Sequence, residues 1–128
     1  MERHSCITCF NVYGCFDSKE LLKELNIDCL LCEEKKLKNG VLSLKIGFNK
    51  VYDFNVNNMI RVTLKDLLCK VDLLKKLKDK YKLEYCLEIV PSIVKDCDIP
   101  KQILSLEEDI IEFLSKTKTI HDVDYYVY

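Results

Sequence analysis

Leu83-Glu84-Tyr85-Cys86-Leu87-Glu88-Ile89-Val90 alternates without a break. Leu83, Tyr85, Leu87 and Ile89 share one face; Glu84, Cys86 and Glu88 share the other. A period of two over this length marks a half-buried strand, one side on a core and one side facing water or a partner. The end of the chain repeats the pattern from Asp122 to Tyr128. Val123, Tyr125 and Val127 point one way; Asp122, Asp124, Tyr126 and Tyr128 point the other. Between the two lies a helical pattern with Leu106, Ile110, Phe113 and Leu114 on its apolar side and Ile111 beside them. Ser105 and Glu108 have the spacing of a capping box and predict where that helix starts.

Upstream, Ile7 to Tyr13 predicts another strand, with Thr8, Phe10 and Val12 opposite Cys9, Asn11 and Tyr13, and Gly14 ending it. Asp17 and Glu20 predict the start of a short helix that buries Leu21, Leu22 and Leu25 and stops at Asn26. Asn39-Gly40 is a hairpin signal, because both central residues of a type I′ turn need positive φ. It separates a predicted strand over Leu30 to Lys38 from one over Val41 to Phe48, where Leu42, Leu44, Ile46 and Phe48 line one face. Asn49-Lys50 predicts a second turn and Val51 to Val56 a third strand, with Tyr52, Phe54 and Val56 on one side. Thr63, with Asp66 three residues later, opens a long helical pattern through Leu64, Leu67, Leu68, Val71, Leu74, Leu77 and Tyr81. Asp72 offers a second cap for a separate helix from Leu73 to Tyr81, so one helix and two both remain open.

These elements predict an α+β two-layer sandwich, a largely antiparallel sheet with its helices packed on one face. Helices on both faces would demand strands apolar on both sides, and these strands are polar at alternate positions. The 128 residues fit a single domain, 1–128, large enough to bury a core.

Composition narrows the class. With 48 % apolar and 32 % charged residues the chain is ordinary for a globular protein and unlike a disordered one. The net charge of -1 gives no global field to recruit nucleic acid or an acidic membrane. The charge is nevertheless uneven, with a net of +5 over residues 1–82 and -6 over residues 83–128. No apolar run is long enough to span a bilayer. No apolar segment follows Met1-Glu2-Arg3-His4-Ser5, so a secretory signal is not expected and a cytoplasmic location is. There the eight cysteines would stay reduced rather than form a disulfide framework.

Two C-x-x-C pairs, Cys6/Cys9 and Cys29/Cys32, have nineteen residues between them, a spacing found in four-thiolate zinc sites. A small zinc-binding protein is therefore the alternative reading. Against it, no glycine or proline follows either pair, and positions three apart on a strand face opposite ways. Without zinc they are small buried hydrophobes, like Cys69 and Cys86. A thiol enzyme would need a base, and only His4, expected in a frayed tail, and His121 are available. The three glycines, Gly14, Gly40 and Gly47, make no phosphate-cradling loop. Lys65, Lys70, Lys75, Lys76, Lys78, Lys80 and Lys82 are interrupted by Asp66, Asp72 and Asp79 and read as a solvated face rather than a nucleic-acid surface.

Several strings resemble the domain of unknown function 4279 family of small bacterial proteins. They are Phe10-Asn11-Val12-Tyr13-Gly14-Cys15-Phe16-Asp17, Leu21-Leu22-Lys23-Glu24-Leu25-Asn26-Ile27, Leu87-Glu88-Ile89-Val90, Leu104-Ser105-Leu106 to Phe113-Leu114, and Asp122-Val123-Asp124-Tyr125-Tyr126. Members of that family often carry tryptophan in the middle strands, where this chain has none, and a glycine after the last helix, where this chain has Thr117-Lys118-Thr119. The resemblance implies a bacterial α+β domain and brings no reaction, cofactor or catalytic residue with it.

No catalytic constellation emerges, and the expected function is a non-enzymatic protein-binding module, immunity-type or regulatory, that needs no cofactor. If the two C-terminal strands share a sheet, Glu84, Glu88, Asp122 and Asp124 fall on its outer side with Cys86, Tyr126 and Tyr128. Such an acidic, tyrosine-bearing face suits a partner with a basic surface, such as the nucleic-acid groove of a toxin or nuclease.

Overall fold

The computed structural model describes residues 3–27, 32–94 and 106–127. Strand β1 (Ser5–Gly14) leads through helix α1 (Ser18–Leu25) to strands β2 (Glu33–Lys36) and β3 (Leu42–Tyr52). Helices α2 (Val56–Leu64) and α3 (Val71–Tyr81) follow, then strand β4 (Glu84–Ile93), helix α4 (Glu108–Lys116) and the short strands β5 (Ile120–Val123) and β6 (Tyr126–Val127). The sheet order is β2-β3-β1-β4-β5, with β6 also on β4. β1, β2, β3 and β4 pair antiparallel; β5 and β6 run parallel to β4, as a helical crossover requires. Helices α1, α2, α3 and α4 each contribute to one core cluster with one side of the sheet, giving the expected two-layer α+β sandwich.

Local chemistry places the elements. Asp17 caps α1 by accepting from the Lys19 and Glu20 N–H groups, and Asn26 ends it in the left-handed conformation. Leu21, Leu22 and Leu25 are buried as their spacing predicts. On β1, Phe10 and Val12 enter the core; Phe10 packs on Tyr85 and Phe113 with ring centroids 5.3 and 6.3 Å apart. Leu83, Tyr85, Leu87 and Ile89 are all buried in the same cluster. Asn39 and Gly40 both take positive φ, and the Val41 N–H donates to the Lys38 carbonyl, as a type I′ turn requires.

Four local readings change. The turn expected at Asn49-Lys50 is absent: β3 runs straight through it and pairs with β1 along its length. Between the Thr8–Asn49 and Phe10–Ile46 pairs, Cys9 faces two residues, Gly47 and Phe48. This is a bulge with its glycine at φ +66°. A Cβ on Gly47 would lie 2.4 Å from the Thr63 carbonyl oxygen, so the glycine also admits the end of α2. Second, the third strand stops at Tyr52, and Asn55 caps α2 by accepting from the Asn58 N–H. Thr63 is therefore not a helix start but a buried residue near the end of α2. Its hydroxyl donates to the Gly47 carbonyl at 2.9 Å and lies 2.7 Å from the Thr8 hydroxyl. The lysine-rich segment is a separate helix beginning at Val71.

Third, α4 begins at Glu108 with Glu107 as its N-cap. The predicted cap, Ser105, lies outside the described residues. Arg61 on α2 fixes this helix start instead, donating to Glu107 at 2.9 Å and in a fork to both Asp109 oxygens at 2.8 and 2.9 Å. Ile111, placed beside the apolar stripe by its spacing, is exposed. After α4, Lys118 takes φ +52° where the resemblance leads one to expect glycine. The Thr119 N–H closes the turn on the Leu114 carbonyl, and Lys78 Nζ caps the Lys118 carbonyl at 2.9 Å. Fourth, the last strand begins at Ile120 rather than Asp122 and is interrupted between β5 and β6.

Candidate functional site

The face of the sheet turned away from the helices is laid out in rows by the strand register. Ser43, Tyr13 and Glu84 form the first row, with Lys35 at its β2 end. Lys45, Asn11, Cys86 and Ile120 form the second, with Glu33 beside Lys45. Cys9, Glu88 and Asp122 form the third. The bulge shifts the alternation on β3, so Phe48, 43 % exposed, emerges on this face two residues before Lys50. Lys50, Ile7 and Val90 form the fourth row. Asp124 joins it, because its N–H donates to the Ile89 carbonyl at 2.9 Å and continues the parallel ladder one step past Val123. Tyr52, Ser5, Ser92 and Tyr126 close the face.

Its centre is polar and yet buried. Cys9 is 1 % exposed and Asn11 is fully covered. The Tyr13 hydroxyl donates to Glu88 Oε1 at 3.2 Å. Glu88 pairs with Cys9, four positions along β1 from Tyr13, so the two side chains meet over the intervening Asn11–Cys86 pair. The Cys9 thiol lies 3.6 Å from Glu88 Oε2 and 3.9 Å from Asn11 Oδ1. Asn11 Nδ2 finds no acceptor among the described residues. Burial first, then the charge of Glu88, pushes both Cys9 and Tyr13 up to about 12. Burial, Glu88 and Asp122 push Cys86 up to about 11. These groups stay protonated at neutral pH, which suits hydrogen bonding under a cover rather than thiolate attack.

The structure sets the predicted acidic residues on one face: Glu88, Asp122 and Asp124 lie in neighbouring rows, and Glu84 lies two rows from Asp122, beside Lys78, Lys82 and Lys118. Glu84, Asp122 and Asp124 are exposed on the β4–β5 side, and Tyr126 is exposed at the end of it. Glu88 lies among them but is half-buried and engaged by Tyr13 and Cys9. Tyr128 lies outside the described residues. Sequence reasoning missed the other half of the face, where Lys35, Lys45 and Lys50 share the side of Tyr13 and Cys9. The interior Gly47 was the available signal, since a glycine inside a strand pattern points to a bulge and a change of phase.

The four-cysteine arrangement does not assemble. Cys6 and Cys9 pair with Pro91 and Glu88 in one unbroken register of β1 and β4, so they face opposite sides of β1. Cys6 lies in the core, and burial pushes its thiol up to about 11. Two thiols on opposite faces cannot ligate one ion. Cys32 packs half-buried at the core edge, and Cys29 lies outside the described residues. Cys6, Cys9, Cys15, Cys69 and Cys86 are free thiols. No group of three or more His, Cys, Asp or Glu with metal-holding geometry occurs among the described residues. His4 is not frayed: it is buried, and its Nδ1 accepts the Val94 N–H at 2.8 Å.

An open cavity of about 400 Å³ borders Glu84 and Ile120, with Lys78, Asp79, Lys82 and Lys118 on its other walls. Lys78 is committed there to the carbonyl end of α4, and its burial lowers its pKa. No helix among the described residues is long and apolar enough to cross a membrane.

No protein-family model matches the sequence, and no curated protein and no solved structure matches it either. The resemblance to the domain of unknown function 4279 family rests on the strings quoted for it.

Proposed function

We propose that this chain is a non-enzymatic protein-binding module, of an immunity or regulatory kind, that docks a basic partner surface on the β4–β5 side of its open face. One observation carries the reading: Asp122 and Asp124 are exposed side by side at the end of β5, with exposed Glu84 two rows away on β4, and none forms an ion pair with a described residue. Asp122 stands directly opposite Glu88 and next but one to Asp124; like charges at neighbouring sheet positions repel, so the fold gains nothing from this group. A cationic partner would relieve the repulsion and be steered to the face at low salt. Exposed Ile120 and Tyr126 supply apolar and amphipathic contact area beside the charges.

The test is a charge reversal, Asp122→Lys with Asp124→Lys, on two exposed side chains. Stability should stay within about 0.5 kcal/mol of the parent. Capture of the native partner from host extract, followed by mass spectrometry, should be lost, and raised salt should weaken the parent's capture. Capture that survives the reversal refutes the reading. Glu88 is unsuited to this test, because its carboxylate holds Tyr13 in place.

A further inference from the structure

The open face carries two strips of opposite charge, set symmetrically about the middle strand. In the order β2-β3-β1-β4-β5, β1 is central. Lys35, Lys45 and Lys50 lie on the β2–β3 side; Glu84, Asp122 and Asp124 lie on the β4–β5 side. Among the described residues of the basic side, Glu33 is the one acid on this face, and it pairs with Lys45. Each strip also carries two exposed large side chains, Phe48 and Tyr52 on the basic side and Ile120 and Tyr126 on the acidic side.

From this layout we infer that the open face pairs with the same face of a second copy of this chain, about a two-fold axis running along β1. This rests on the reading of the acidic strip as a docking surface and names its partner. Such an axis exchanges the left and right halves of the sheet and keeps each row at its own height. It sets β3 over β4 of the second copy and β2 over β5. Lys50 then faces the row of Asp124, and Lys35 faces the row of Glu84. Lys45 falls between the rows of Glu84 and Asp122. Tyr52 meets Tyr126, and Ile120 meets the row of Lys45. The axis perpendicular to the strands would instead set acid on acid, so charge selects one geometry. Two sheets packed this way keep their strands nearly aligned, the common arrangement of stacked sheets. Ser5, Cys9 and Asn11 on β1 are already buried in the single chain, so the contact is made by the exposed side chains flanking β1, with Phe48, Lys50 and Tyr52 against Asp122, Asp124 and Tyr126.

Sedimentation of the full chain over a concentration series tests this, at low and at physiological salt. The mass should rise from that of one chain toward two, and salt should weaken the rise. Lys35→Glu with Lys50→Glu makes both strips acidic; Asp122→Lys with Asp124→Lys makes both basic. Each variant alone should associate about tenfold more weakly or worse, and an equimolar mixture should form a one-to-one heterodimer. Circular dichroism and melting show whether each variant is folded, and the single changes Lys50→Glu and Asp124→Lys give the same comparison if a double change does not fold. A parent that stays monomeric throughout, or a dimer that neither reversal weakens, overturns the inference. A monomeric parent that still captures a basic partner through Asp122 and Asp124 overturns self-pairing alone; a monomer without such capture overturns the docking surface as well.

Discussion

β1 sends Phe10 and Val12 toward the helices and Cys9 and Asn11 away from them, and all four are buried. On the helix side the cover is apolar, supplied by residues such as Phe113 and Tyr85. On the open side the neighbours are polar: Tyr13 and Glu88 meet along the sheet, and the Cys9 thiol lies near Glu88 and Asn11. The first kind of burial gains from removing apolar surface from water. The second depends on hydrogen bonds being met, and it leaves Asn11 Nδ2 without a described acceptor. Burial alone thus does not distinguish a core from a covered polar face; the identity of the cover does. The same sheet is held together on one side and carries exposed charge on the other, mostly basic on β2 and β3 and acidic on β4 and β5.

The largest expected effect lies on the helix side. Leu87 is fully buried, and Leu87→Ala should cost on the order of 2–5 kcal/mol in a denaturant series. A loss below about 1 kcal/mol would mean that the helix side is not the core. Next comes Gly47→Ala. The φ of +66° costs about 1–3 kcal/mol for a residue with a side chain, and the close Thr63 carbonyl adds to it. A neutral result would show that the bulge can shift phase, and Phe48 and Lys50 would then have no fixed side.

Tyr13→Phe probes the polar cover. It removes one bond to Glu88 and should cost about 1 kcal/mol. It should also speed hydrogen exchange on β1 around Asn11, a change that Leu87→Ala would not confine to that site. The smallest effect should be chemical. At pH 8 a thiol reagent should modify the exposed Cys15 and Cys69 first and the half-buried Cys86 more slowly, while Cys9 reacts only on unfolding. Cys9 is pushed up to about 12 and Cys86 to about 11, above the ordinary thiol value of about 8.5. Their raised values stabilise the protonated form in the fold. Stability is therefore unaffected below the ordinary thiol range and falls as pH rises through it toward 12. Fast labelling of Cys9 in the folded protein would show that the cover over it is open.

The elements that were legible in the sequence are those whose cause is local. Asp17 caps its helix and Asn26 ends it, with bonds to residues within four positions. Asn39-Gly40 turns the chain because both residues tolerate positive φ. The unbroken alternation of Leu83 to Val90 gave β4 and its buried side. Helix α2 was missed because its residues, Val-Asn-Asn-Met-Ile-Arg-Val-Thr-Leu, are rich in weak helix formers. Packing on β1 and β3 sustains it, through Thr63 and its bonds to Gly47 and toward Thr8. The acidic strip was legible because its members lie on two strands of clear period. Glu88's engagement was not, since Tyr13 is seventy-five positions away in the chain.

By itself, then, the sequence determined the strand faces with a clean period of two, the first helix with its two ends, the hairpin turn and the α+β class. Each follows from periodicity or from hydrogen bonds made within a few residues. Only the tertiary structure decided the phase of β3, because a bulge is set by the glycine's fit against α2. It alone separated Cys6 from Cys9 across β1, and it alone buried Asn11 and Cys9 on the face away from the helices. It also set Lys35, Lys45 and Lys50 on the same face as Glu84, Asp122 and Asp124, on opposite sides of β1. The physical reason is common to all of these: strand order and register join residues far apart in sequence, and neither can be read from one strand's own pattern.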